Sequence, residues 1–259
     1  MRAELHVVLY STRESCPMLT CWLSWASYWL VDKSYDYQLH TIIARPNISS
    51  TSSGTWKTEL WYAALRDKLV RMRDYIERVP LGSTVFFTDL DVVPMRPMST
   101  LLPLPHELTF MREPPGHGGR TGRQIVNTGL YALRVTPSTR RYVSHWAWLT
   151  IKSAARRTAL QDQDTANWIL LAKKGSRMAH PDLDWGTWPR SLATGLLADV
   201  GNATAAFHAI FTTGDQKVQR IAEALERRRA ALPTSWTPGR YNLPPCRPSS
   251  EVGACAMPD

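Results

Sequence analysis

Acidic side chains are in short supply, 22 Asp and Glu against 31 Lys and Arg. The resulting formal charge of +9 and a pI near 9.6 point to anionic partners, among them nucleotides, acidic glycans, lipid head groups and nucleic acid. The basic residues are dispersed, through Arg66 to Arg78, Arg140-Arg141, Arg156-Arg157, Lys173-Lys174 and Arg227-Arg228-Arg229. No nucleic-acid module signature accompanies them, which argues against a nucleic-acid partner. A long apolar run is also missing. The stretch from Met18 to Val31 is broken by Thr20, Ser24 and Ser27 and falls short of the roughly 20 residues needed to cross a bilayer. It is not shaped as a signal peptide either, so the chain as given is expected to be soluble, with no transmembrane segment. None of the four cysteines forms a CxxC pair, which argues against a structural zinc site. Cys246 and Cys255 flank a short loop able to close as a disulfide in an oxidising compartment. Repeats and low-complexity tracts are absent.

What is present is enough apolar residue, 44% of 259, for a substantial core. Leu5 to Tyr10 reads as a buried strand, followed by a turn at Ser11-Thr12-Arg13 and a helix bearing Leu19, Trp22, Trp25, Ala26 and Trp29. Tyr37 to Ala44 gives a second strand, and Lys57 to Arg78 a long helix with an apolar stripe at three- and four-residue steps. The apolar run from Thr84 to Thr88 is a third strand, after which Pro94 and Pro97 predict an irregular exit. Further strands are expected at Leu108 to Met111, Ile125 to Leu133 and Ala205 to Ile210, and helices at Ser138 to Lys152, Asp162 to Lys173 and Asp215 to Ala231. The Gly- and Pro-rich span from Pro114 to Arg123 reads as a surface lid. This alternation predicts an α/β fold with a mostly parallel central sheet flanked by helices. One domain is expected over residues 1–232, with a Pro-rich tail over 233–259.

Asp89-Leu90-Asp91 follows the third strand. Residues two apart on a strand share a face, and hard cations are held by one or two carboxylates with phosphate oxygens and water completing the shell. A metal-bridged diphosphate suits that spacing. Ligands of open α/β sheets sit beyond the carboxyl ends of the strands, which places Ser11, Thr12, Asp89 and Asp91 on one cleft. Asn127-Thr128-Gly129 is a polar cluster inside an apolar strand, where Gly129 permits close approach of a ligand or another backbone. Gln161-Asp162-Gln163-Asp164 stands at a helix start, placed to contact sugar hydroxyls or to cap the helix. His208, with Gly214 and Lys217 behind it, adds an imidazole that would tilt a carboxylate site toward Mn²⁺ over Mg²⁺.

In this order the motifs resemble those of the nucleotide-diphospho-sugar transferase family that includes plant rhamnogalacturonan xylosyltransferases and related α-glycosyltransferases. The resemblance runs from the Lys68 helix through Phe87 to Val93, Asn127 to Gly129, Asp162-Gln163 with Asn167, and Trp188-Pro189 to Gly195, ending at His208, Gly214 and Lys217. It implies a GT-A fold, a nucleotide-sugar donor (UDP-linked above all), Mn²⁺ or Mg²⁺, a glycan or glycoconjugate acceptor, transfer with retention and a Golgi lumen setting. By the same resemblance Asp89, Asp91 and His208 hold the metal, and Ser11, Thr12, Lys68, Asp89, Gly214 and Lys217 hold the donor. Asp162, Gln163 and Asn127 are then the catalytic candidates, Asp162 holding the donor sugar or stabilising its cationic centre. The aromatic stretch Trp185-Gly186-Thr187-Trp188 departs from the pattern and offers Trp185 and Trp188 either as stacking platforms for an acceptor sugar or as packing aromatics. Two other readings remain open: a phosphatase of the haloacid dehalogenase type, whose DxD motif normally ends the first strand, and a non-catalytic carbohydrate-binding module.

Overall fold

The computed structural model describes residues 3–12, 16–30, 32, 34–44, 59–114, 125–155, 161–210 and 215–230. Gly214, Cys246, Cys255, the Pro-rich tail and the lid segment beyond Pro114 lie outside the described residues. The main sheet has six strands in the order β2 (Tyr35–Ile43), β1 (Ala3–Ser11), β3 (Thr84–Thr88), β6 (Val126–Arg134), β5 (Leu108–Arg112) and β7 (Trp185–Thr187). β2, β1 and β3 are mutually parallel, and β5 is parallel to β7. Only β6 runs against its neighbours.

Two-residue alternation assigns the strand side chains to two faces. Leu5, Val7, Leu9, Phe86, Leu130 and Ala132 pack on one side with Leu19 and Trp22 of helix α1 (Cys16–Trp29). Val8, Val85, Phe87, Tyr131 and Leu133 pack on the other, against helices α2 (Glu59–Arg78), α3 (Pro137–Ala155) and α4 (Asp162–Leu170). α2 buries the expected stripe of Leu69, Met72, Ile76 and Val79. It ends in a turn at Gly82, whose φ of 89° suits a residue without Cβ. α4 is shorter than its sequence suggests. Ala172 N–H bonds Ile169 O in a tightened last turn, and Gly175 has a φ of 90°.

A second, three-stranded sheet in the order β4 (Val92–Pro94), β9 (Ala206–His208) and β8 (Ala193–Thr194) lies beside the first. The expected irregular exit after Asp91 is thus a short strand. Val92 pairs with His208 and Val93 with Phe207, and Ala209 N–H bonds Asp91 O at 2.9 Å. Behind this sheet Val93, Met95, Phe207 and Ala209 pack with Cys21 and with Ile221 and Ala224 of helix α5 (Asp215–Ala230). Cys21 is disulfide-bonded. Among the described residues no helix is long and apolar enough to cross a membrane.

Candidate active site

Asp89 and Asp91 lie just past β3, on the turn that leads into β4, where Val92 N–H returns to Asp89 O at 3.1 Å. They are not on the strand itself, so shared strand facing does not bring them together. The turn does, with help from Gly129 O, which accepts from Asp89 N–H at 2.7 Å. The pairing of β4 with β9 then delivers His208. The ligand atoms of Asp89, Asp91 and His208 all lie within 4.8 Å of one another. Two carboxylates and an imidazole form a donor set that fits a divalent ion of the Mn²⁺ kind.

Each aspartate has its own cation. Lys68 of α2 reaches Asp89 Oδ1 at 2.8 Å and Asp162 Oδ2 at 3.2 Å. Burial opposes the charge on Lys68, but Asp89 and Asp162 outweigh it and raise its pKa above the ordinary lysine value. Lys217, in the first turn of α5, is ion-paired with Asp91 Oδ2, and His208 Nε2 stands 3.2 Å from Asp91 Oδ1. Burial opposes the charge on Lys217 as well, and the Asp91 carboxylate more than compensates, raising its pKa.

The start of α4 divides its labour. Gln161 N–H bonds Asp164 Oδ2 at 3.2 Å, the capping arrangement. Asp162 instead turns to Lys68, and Gln163 offers Oε1 to Thr128 N–H at 3.4 Å. Asn167 accepts from Ile125 and Val126 N–H at 2.7 and 3.1 Å, tying α4 to the beginning of β6. The site therefore gathers Lys68, Asp89, Asp91, Asn127, Asp162, Gln163, His208 and Lys217 into one connected network.

Ser11 and Thr12 close β1, which runs parallel to β3 with Leu9 opposite Thr88, so the two strand ends share one rim of the sheet. Ser11 and Thr12 are both buried. Gly129 is where close approach occurs, and the approaching group is the His208 ring, which a Cβ at residue 129 would overlap. Of the two roles open to Trp188, the structure gives it packing. It is 2% exposed, stacked on Phe86 at 6.0 Å, and donates Nε1–H to Leu101 O at 3.2 Å. Glu113 is the residue that no motif announces. It is buried and accepts from Asn127 Nδ2 at 2.8 Å.

No protein-family model matches the sequence, and no curated protein matches it. Among solved structures it is similar to a glycosyltransferase involved in the glycosylation of the major capsid of PBCV-1, at 12% identity over 86% of this chain and 98% of that one, TM-score 0.56. It is similar to the galactosyltransferase LgtC in complex with donor and acceptor sugar analogues, at 11% identity over 91% and 100%, TM-score 0.51. A third likeness, at 11% identity over 87% and 61% with TM-score 0.52, is to the glycosyltransferase GlyE of Streptococcus pneumoniae TIGR4. At these identities the likeness is one of fold: the chain has the GT-A fold of nucleotide-diphospho-sugar transferases.

Proposed function

We propose that the protein is a metal-dependent glycosyltransferase that moves a sugar from a UDP-linked donor to a glycan or glycoconjugate acceptor, with retention at the anomeric carbon. One observation carries the reading: Asp89, Asp91 and His208 converge at the strand-end rim of a GT-A fold, with a lysine on either side. These three residues would hold Mn²⁺ or Mg²⁺, which when bound supplies positive charge against the negative charge growing on the leaving diphosphate. Lys217 lies in the first turn of α5, where the helix end also favours an anion, and exchanges Asp91 for a diphosphate oxygen. Ser11 and Thr12 border the nucleotide, and Gly214 leads into the helix of Lys217. Lys68 ties Asp89 to Asp162 and aims both at the donor. Asp162 and Gln163 face the donor sugar; Asp162 steadies its cationic centre without being assigned as a nucleophile. Retention is supported by the order of the motifs. The Cys21 disulfide favours an oxidising compartment.

The test is UDP affinity by calorimetry with Mn²⁺ and in chelator. Affinity is expected to rise sharply with Mn²⁺ and to lose that gain in Asp91→Ala. Equal affinity in chelator for the unaltered protein would overturn the metal assignment.

A further inference from the structure

Behind His208 a chain of hydrogen bonds runs to a buried carboxylate that the proposed reaction does not use. Glu113 directly follows β5, and its Oε2 accepts from Asn127 Nδ2 at 2.8 Å. Asn127 Oδ1 accepts from Gly129 N–H at 2.9 Å and lies 3.0 Å from His208 Nδ1. The partners decide which amide atom is which. A backbone N–H only donates, so the atom facing Gly129 is the oxygen. A carboxylate accepts, so the atom facing Glu113 is the nitrogen. An amide oxygen cannot donate, and the proton shared with His208 therefore sits on Nδ1. With Nδ1–H committed to Asn127, Nε2 is the nitrogen that faces Asp91 Oδ1, 3.2 Å away, and the one a cation beside Asp91 would meet. The imidazole is further seated on Gly129, where no Cβ intervenes.

We infer that Glu113 and Asn127 are positioning residues that lock His208 in its Nδ1–H tautomer and present the Nε2 lone pair to the divalent cation beside Asp89 and Asp91; this rests on the metal reading above. An acceptor on the far nitrogen of a metal-bound imidazole fixes the ring and raises its basicity. Here the acceptor is an amide, and the carboxylate of Glu113 polarises it from behind. The role also explains why Asn127 is only 4% exposed. Its oxygen already accepts two hydrogen bonds, so it serves the ligand His208 and not the substrate.

Two measurements on the full chain test this: Mn²⁺ affinity without donor, by paramagnetic resonance titration, and the His208 tautomer by ¹⁵N NMR of the protein saturated with diamagnetic Mg²⁺. The unaltered protein is expected to show the Nδ1–H form. Asn127→Ala is expected to bind Mn²⁺ about 10- to 100-fold more weakly and to admit the Nε2–H form. Glu113→Gln is expected to cause a smaller loss of the same kind. The double variant Asn127→Asp with Glu113→Gln returns an acceptor to Nδ1 and a donor behind it. It is expected to regain most of the lost affinity, which repair of a packing defect would not predict, and it decides the matter if Asn127→Ala fails to fold. Unchanged Mn²⁺ affinity in Asn127→Ala, an Nε2–H tautomer in the unaltered protein, or no recovery in the double variant overturns the inference and leaves the metal reading standing. An unaltered protein that binds no Mn²⁺ overturns the metal reading, and the inference falls with it.

Discussion

Asp89 and Asp91 share one turn yet live in opposite electrical surroundings. Asp91 is enclosed: burial alone would raise its pKa, but Lys217 and His208 outweigh it and hold the carboxyl well below the usual range. Asp89 keeps 35% of its side chain exposed and shares Lys68 with Asp162. Burial and the like charge of Asp91 push its carboxyl up, by more than Lys68 offsets. The pair is therefore not a symmetric clamp. Asp91 is a firmly ionised anchor, while Asp89 resists ionisation and brings less negative charge to a cation.

That asymmetry breaks most visibly at Asp91. Asp91→Asn is expected to weaken Mn²⁺ binding by more than about 100-fold, beyond what losing an outer partner costs, and by more than Asp89→Asn does. Equal losses would restore the symmetric clamp. Next comes the lysine on each side. Lys68→Met strands the buried Asp162 and is expected to lower unfolding free energy by about 3–5 kcal/mol in urea titrations. Lys217→Met leaves the buried Asp91 with His208 as its remaining partner and is expected to cost less, about 1–3 kcal/mol of stability, while reducing UDP affinity. Similar stability losses for the two lysines would erase the distinction. Gly129→Ala drives a methyl into the His208 ring and is expected to cost about 1–3 kcal/mol by overpacking, with weaker Mn²⁺ binding. Unchanged Mn²⁺ affinity in that variant would show that the ring is not seated on Gly129.

The smallest effect lies away from the site and serves as its control. His145 Nδ1 and His180 Nε2 meet at 2.9 Å, and the Asp182 carboxylate near His180 only partly offsets the cost of a charge there. Burial lowers both pKa values from 6.5, and His145 lowers that of His180 further. Below that value the unfolded chain binds protons that the folded chain resists. Stability is thus present above about pH 6.5 and is lost as pH falls toward the lower folded values. His145→Gln is expected to flatten the acid side of the Tm profile; an unaltered profile would remove this pair from the balance.

The long strands and helices are legible because their periodicity repeats often enough to separate two packing faces, as at Leu5, Val7 and Leu9 against Val8, or along the stripe of α2. β4, β7 and β8 are not. With two or three residues each they carry no period, and residue type alone marks Pro94 as a breaker although it ends a strand. Gly129 shows the same division within one residue: the need for close approach is visible locally, the identity of the approaching His208 is not.

The chain by itself determined the apolar alternation that builds the sheet, the acidic pair that follows β3, and the ordered recurrence of Asn, Asp, His and Lys after it, since each is a local property of residue type and spacing. Only the tertiary structure decided that β4 pairs with β9, that Lys68 joins Asp89 to Asp162, and that Glu113 stands behind Asn127. Those are contacts between segments far apart in sequence. Side-chain chemistry permits many such pairings, and the packing of the sheets and helices selects one.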